Sequence, residues 1–537
     1  LDNDGDTLVD EPDEAALFAS IPDNTVGNGT PAVITVDESF NALLQRVDPG
    51  PANRITFYYR VDPDITIAPL QTLTNTVSMS YDSLDADFGN QNDPQLDNTA
   101  TFPNDAGRAR IYTSIDQVAN VQMIPVIALP KLTVATANTP ASSPQNISIG
   151  EEVRYLLVAD IPVANLRQFR IRDELPAGVS CVQLQDVNLS QGVYAAAGFS
   201  PGGPPLSTTC NGQVVEWYFG DQAVTLGTPG TRFNFPITFV ARVDNIAANT
   251  ENVTLTNGGV TIDDPIACTS IGGGGVGVCY VNDFGAGVSL DFAPVDVVVR
   301  EPVIVLTKSF LPIVNSDAAD ILTVTVTAEN TGTAAAYNLQ VMDNLVGSDM
   351  TYIVGSEGGP DAPDIVDTSV TNRPIFSWTP PPVPGPDYEI LPGATKTFTF
   401  QVRVDSTAQP LEILDNTIQA KWDSLPDRFT TLNTLTVPAT IGPDGSATGL
   451  RNGTVPNTGP AGAPNDYETT ATASTSVLPL TMSKTDQTPA AVPTIGAHRN
   501  FEVVIDLPEG TTQNLVVEDE LIFGGVSYVL SRNGTFD

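Results

Sequence analysis

Alternate residues at the start of the chain are acidic. Asp2, Asp4, Asp6 and Asp10 take positions 1, 3, 5 and 9 of a loop, with the Leu8 carbonyl at position 7. Asn3-Asp4-Gly5-Asp6 supplies a tight turn, and Glu11 or Asp13 would close the shell. Carboxylates this crowded repel one another unless a cation sits among them, and a hard divalent ion with oxygen ligands suits the pattern. The expected cofactor is Ca2+, held by Asp2, Asp4, Asp6, Leu8, Asp10 and Asp13.

Cys181, Cys210, Cys268 and Cys279 are the other chemically distinctive group. Four cysteines allow three connectivities. Without a Cys-x-x-Cys spacing, and with His498 as the single histidine, zinc is not expected. Pairing Cys181 with Cys210 and Cys268 with Cys279 would staple two long insertions, and such bonds persist outside the cell. Catalytic arrangements are scarce. A nucleophile–histidine pair would have only His498 to draw on. Asp263 and Asp264 are adjacent, so on a strand they face opposite sides and cannot share a substrate. Gly272-Gly273-Gly274-Gly275 lacks the helix and lysine of a phosphate-cradling loop, and Thr379–Pro386 reads as a rigid polyproline connector. No enzyme is expected.

The elements that position these residues follow from composition and repetition. The 537 residues carry 23 Lys and Arg against 63 Asp and Glu, a net charge of −40. A surface this acidic repels nucleic acid and anionic lipid headgroups. Charged residues are only 16% and apolar ones 41%, so there is material for a core. The 43 Gly and 44 Pro favour turns over long helices, and no apolar run approaches the roughly 20 residues of a membrane span.

One strand signature occurs three times, at Ile55–Asp62, Ile237–Asp244 and Phe398–Asp405, with the period-two alternation of a half-buried strand. Each is followed by a segment with an asparagine, Asn75-Thr76-Val77, Asn252-Val253-Thr254 and Asn416-Thr417-Ile418. A second signature pairs an apolar strand (Leu132-Thr133-Val134, Val305–Lys308, Thr481–Lys484) with an Asp-x-Leu corner at Asp173, Asp343 and Asp519. Those corners lie 170 and 176 residues apart, so the repeat is about 175 residues, built of short strands. The expected divisions are 1–128, the second half of a repeat; 129–301 and 302–478, whole repeats; and 479–537, the first half of another.

The run Thr325–Leu345, a strand, an Asn-x-Gly turn, a second strand and Asp-x-Leu, resembles the immunoglobulin-like tandem repeat of bacterial and archaeal surface proteins, catalogued as domain of unknown function eleven. Repeat 129–301 departs at the turn, where Ala159-Asp160-Ile161-Pro162 stands. The acidic loop likewise resembles dockerin-type, EF-hand-like calcium loops. The resemblance implies a cell-surface or secreted array, and it brings one covalent option with it. Relatives in surface fibres join a first-strand Lys to a last-strand Asn as an isopeptide, helped by a buried acid. Lys308 and Asn416 occupy fitting strands, with Asp343 or Glu329 as the acid; Lys484 and Asp519 form the matching half in the last segment. Ala135 stands in the place of Lys308 in repeat 129–301, which keeps Asn252, so the asparagine has a structural use without the lysine, and an exposed lysine with a turn-bonding asparagine is the expectation set ahead of the cross-link.

The expectation is therefore all-β: tandem immunoglobulin-like Greek-key sandwiches, extracellular, forming a surface fibre whose partners are copies of the chain set head to tail. The alternative is the stalk of an adhesin. Neither nucleic acid nor a membrane span is expected.

Overall fold

A computed structural model describes residues 67–82, 111–123, 126–128, 132–135, 145–184, 199–200, 205–224, 231–282, 285–312, 315–378, 389–426, 442–453, 464–488, 499–523 and 526–529. Among them every regular element is a β-strand, and no helix is long and apolar enough to cross a membrane. Asp2 to Asp13, where a calcium loop is expected, the signature Ile55–Asp62, the proline run and His498 lie outside the described residues.

Alternation of apolar and polar residues decides which side of each strand is buried. In Ile321–Asn330 and Thr395–Val404 every second residue is buried, and Ile413–Asp423 follows the same rule. Two such faces close into a sandwich. One sheet runs Ile304–Leu311, Ile321–Asn330, Thr395–Val404, Met350–Tyr352. The facing sheet runs Ile365–Asp367, Ile375–Ser377, Ala336–Asn344, Ile413–Asp423, Glu468–Ser476. Successive strands cross between the sheets in the order of an immunoglobulin-type Greek key. Phe376, Phe398, Phe400 and Trp378 form an aromatic centre, with the Phe376 and Phe400 rings 4.8 Å apart and tilted, and Trp378 edge-to-face on Phe398.

Another sandwich precedes it in the chain, so that this other is the first and the one just described the second. Val179–Leu184, Arg232–Val243 and Glu152–Pro162 form one face; Val214–Val224, Ala164–Glu174 and Val276–Val281 form the other. Tyr155, Phe169, Trp217, Phe235 and Phe239 fill the space between. Disulfides join Cys181 to Cys210 and Cys268 to Cys279.

The Asn-x-Gly turn has a physical basis. Asn330 is fully buried; its Oδ1 accepts the Val303 and Gly332 N–H groups, and its Nδ2 donates to the Ala334 and Ile390 carbonyls. A Cβ on Gly332 would come within 2.4 Å of Glu301 O and Val303 N, so only glycine fits. The turn thereby pins the segment that links the two sandwiches.

That link is locked from both sides. The 442–453 segment of the second sandwich lies against the first. Buried Arg451 pairs with Glu301 at 2.6 Å and donates to the Ile246 carbonyl and to Asn245 Oδ1. The Tyr467 hydroxyl donates to Glu301, and the Ser424 hydroxyl donates to the Ile149 carbonyl. Leu425 and Leu450 close the seam over Gly150, where a Cβ would come within 3.0 Å of Leu450 Cα and 3.1 Å of Leu425 Cδ1.

Candidate functional site

Lys308 lies on Ile304–Leu311, with buried Leu306 and Phe310 two residues to either side. Period two therefore turns its side chain inward, between the sheets. Asp343 comes from Ala336–Asn344 in the facing sheet, and Asn416 from the neighbouring Ile413–Asp423. Asp343 is registered opposite Ile418, which places Asn416 diagonally beside it.

The three side chains meet in the core. Lys308 Nζ is 3.0 Å from Asp343 Oδ1, and both side chains have no exposed surface. Asn416 Nδ2 donates to Asp343 Oδ2 at 3.0 Å, and Asn416 is buried. The rings of Phe310 and Phe400 lie 5.5 and 5.9 Å from Nζ. Asn416 Oδ1 is buried with no hydrogen-bond partner.

Burial governs the protons here. It pulls the Lys308 ammonium below its ordinary range, against the opposing pull of Asp343. It pushes the Asp343 carboxyl up, against Lys308 and Asn416. Both shifts favour the neutral pair, an amine beside a carboxylic acid. An amine is a nucleophile where an ammonium is not. A protonated Asp343 has one O–H to donate, and a half-turn of the Asn416 amide brings its unpartnered Oδ1 to receive it. That hydrogen bond polarises Cγ toward attack. Glu329, the other acid considered, is exposed on the outer side of its strand.

No family model and no curated protein sequence matches the chain. Solved structures similar to it include "BspA_C_mut", with 10% identity over 65% of this chain and 98% of the other and a TM-score of 0.29. Domains D2 and D3 of the major pilin SpaD from Corynebacterium diphtheriae share 11% identity over 55% of this chain and 84% of theirs, with a TM-score of 0.20. BcpA, the major pilin subunit of Bacillus cereus, shares 8% identity over 58% of this chain and 76% of its own, with a TM-score of 0.21.

The first sandwich repeats part of the arrangement, at residues the repeat pattern misplaces. Asn257 Nδ2 donates to Asp173 Oδ2 at 3.3 Å, and both residues are fully buried. Asn257 is thus the counterpart of Asn416. Asn252 is not: it adopts φ +66° in a turn, bonded to Arg300. It corresponds to Leu411 (φ +65°) and Leu70 (φ +58°), each five residues ahead of its asparagine. The strand stops after Asn257 and resumes at Val276, opposite Asp173, so residues 258–275 are an insertion within it. Cys268 in that insertion is tied to Cys279 on the resumed strand. Leu255-Thr256-Asn257, Leu414-Asp415-Asn416 and Leu73-Thr74-Asn75 share a Leu-x-Asn signal that finds the right residue. Ala135 is likewise not the counterpart of Lys308. It pairs with Val153, whereas Lys308 pairs with Val326, the residue matching Leu157.

Lys484 and Asp519 also meet, at 2.5 Å, beside the ring of Phe501. Their side chains remain 42% and 37% exposed, which separates this pair from the sealed one at Lys308. Among the described residues no group of three or more His, Cys, Asp or Glu is arranged to hold a metal.

Proposed function

We propose that this chain is a structural, non-enzymatic segment of an extracellular fibre, and that its second sandwich locks itself with an isopeptide between Lys308 and Asn416. The observation that carries this reading is the sealed Lys308–Asp343–Asn416 cluster, which joins the first strand of one sheet to a late strand of the other.

The step balances within the cluster. A proton passes from Lys308 to Asp343, leaving a neutral amine and acid. Lys308 Nζ attacks Asn416 Cγ while Asp343 donates to the amide oxygen. The Nζ–Cγ bond forms, the Cγ–Nδ2 bond breaks, and the proton shed by Nζ travels through Asp343 to the departing nitrogen, which leaves as ammonia. No oxidant, metal or second substrate enters. The reaction occurs once per molecule, so its product is a brace and the chain is not a turnover catalyst.

Such a brace suits a load-bearing unit. Tension entering at Ile304 would pass through the Lys308–Asn416 bond, and the chain between them would stay hidden. The locked link at Arg451 and Glu301 would carry load between sandwiches, and the disulfides fit an oxidising exterior. Ca2+ on Asp2, Asp4, Asp6, Asp10 and the Leu8 carbonyl belongs to the same reading, resting on the alternating carboxylates.

Single-molecule pulling of the 537-residue chain tests it. The expected trace lacks the extension of residues 309–415, and Asn416→Ala restores it. A wild-type trace that releases this length would overturn the reading.

A further inference from the structure

The insertion of the first sandwich leaves and rejoins its strand beside one buried pair. Thr254–Asn257 ends with Asn257 opposite Val295, and the strand resumes at Val276 opposite Asp173. Asn257 and Asp173 are fully buried, and Asn257 Nδ2 donates to Asp173 Oδ2 at 3.3 Å. The Glu174 N–H closes the exit on the Gly275 carbonyl. Residues 258–275 thus begin at the asparagine and end at the acid. They form a cap latched to the outer face of the sheet. Cys268 is bonded to Cys279, which stands opposite Arg170, and Ile262 completes a buried cluster with the two sulfurs. Polar ties surround the latch: Arg170 Nη1 donates to the Ala267 carbonyl, the Ser270 hydroxyl to Glu174, and the Ile262 N–H to Asp291. At the tip, Gly272, Gly273 and Gly274 all have positive φ. Glycines lose more backbone freedom on ordering than other residues, so the cap leans on its covalent tie.

The residue after Asn257 is Gly258. Its φ is +101°, and a Cβ there would lie 3.2 Å from Pro294 Cα, so the turn out of the strand calls for glycine. That requirement creates a chemical weakness. In an Asn-Gly pair the next backbone nitrogen attacks the side-chain amide most easily, because glycine sets no side chain in its way. The folded strand blocks the attack. Extended backbone at Asn257 keeps the Gly258 nitrogen out of line with Cγ, and Asp173 holds the amide between the sheets.

We infer that Asn257-Gly258 is a latent deamidation site held closed by the Cys268–Cys279 bond, so that reducing this disulfide starts an irreversible weakening of the first sandwich. A dithiol reductant opens the latch: it is oxidised to its cyclic disulfide, and Cys268 and Cys279 become thiols. The freed cap frays from Gly258, and the backbone at Asn257 turns. The Gly258 nitrogen bonds to Asn257 Cγ and the Cγ–Nδ2 bond breaks. The proton shed by Gly258 leaves with Nδ2 as ammonia. Water then opens the cyclic imide to aspartate or isoaspartate. Either product sets a second carboxyl beside buried Asp173, where two acids cannot both ionise. The step draws on nothing at Lys308 and stands apart from the cross-link.

The test compares the whole wild-type chain with a Cys268→Ser, Cys279→Ser variant at mildly alkaline pH, without reductant, so that Cys181–Cys210 stays closed in both. Peptide mapping reads aspartate and isoaspartate at position 257. Asn211-Gly212, exposed in the turn between Ser207–Asn211 and Val214–Val224, is the internal standard and should convert equally in both chains. Asn257 should convert faster in the variant by on the order of tenfold or more, as local opening rises by that factor. Hydrogen exchange should show Glu152–Pro162 and Arg232–Val243 still protected while 258–275 exchanges. Wild type treated with a dithiol should behave as the variant does, which covers a variant that fails to fold. Equal conversion of Asn257 in latched and unlatched chains, Asn257 unconverted in both while Asn211 converts, or protection lost across the whole sandwich at once would each overturn the inference. Asn257→Asp, made directly, should lower the guanidinium midpoint of the first sandwich; an unchanged midpoint overturns the weakening.

Discussion

Lys308 Nζ lies 3.0 Å from Asp343 Oδ1 with neither side chain exposed, so a potential ion pair is held inside a sandwich core. Taking both charges out of water is costly, and removing one partner leaves the other buried alone. Asp343→Ala is therefore expected to be more damaging than Asn416→Ala, costing about 3–5 kcal/mol for the stranded lysine beyond the lost cross-link. Asn416→Ala keeps the pair but loses the covalent loop from Lys308. By the chain-entropy account a closed loop on the order of a hundred residues contributes about 4–5 kcal/mol. Guanidinium unfolding of the whole chain should rank them wild type, Asn416→Ala, Asp343→Ala. Equal midpoints for wild type and Asn416→Ala would contradict the brace.

Arg451 should couple the two sandwiches. Its guanidinium is buried against Glu301, Asn245 and the Ile246 carbonyl, contacts that all cross the seam. Arg451→Ala strands Glu301 and is expected to cost about 3 kcal/mol or more at the seam, leaving each core intact. Calorimetry should then resolve two transitions where wild type shows more coupled melting. An unchanged melt would mean that the seam bears no load.

Alkaline pH should weaken the fold through its buried phenols. Tyr467 is held above its ordinary 10.0 by burial and by the Glu301 charge. Burial raises Tyr155, with Asp173 adding to it, and burial raises Tyr280. Above pH 10.0 the unfolded chain releases these protons while the folded chain keeps them. The folded state then binds more protons, so stability falls as pH rises; below that pH the contribution is fully present. Tyrosine absorbance titration should show three phenols ionising only as structure is lost, and Tyr467→Phe should make the decline shallower. Normal titration of all tyrosines in the folded chain would refute this.

Chelation tests the acidic loop. Removing Ca2+ should lower thermal stability and raise protease cleavage within residues 1–128, while the second sandwich melts unchanged. Calcium that alters neither would leave Asp2, Asp4, Asp6 and Asp10 as a solvated acidic turn.

The sandwiches were legible because strands such as Phe398–Asp405 bury every second residue and thus write their period into the sequence. The strands bearing Lys308, Asp343 and Asn416 were legible in the second repeat, where they are uninterrupted, but the sequence favoured an exposed lysine and a turn-bonding asparagine, and burial of all three shows only in the fold. The first repeat misled at the same place. Its insertion after Asn257 splits one strand in two, and the local pattern points to Asn252, a turn residue with superficially similar neighbours. Arg451 gave no signal, because its partners Asn245 and Glu301 lie 206 and 150 residues away, outside any local period.

The direct measurement of the central claim is the intact mass of the reduced, monomeric 537-residue chain, followed by tandem fragmentation. The account predicts a mass below the sequence value by at least one ammonia, with one branched peptide joining Lys308 to Asn416 and no such peptide in Asp343→Ala. A mass equal to the sequence value, with Lys308 and Asn416 recovered in separate unmodified peptides, would contradict it.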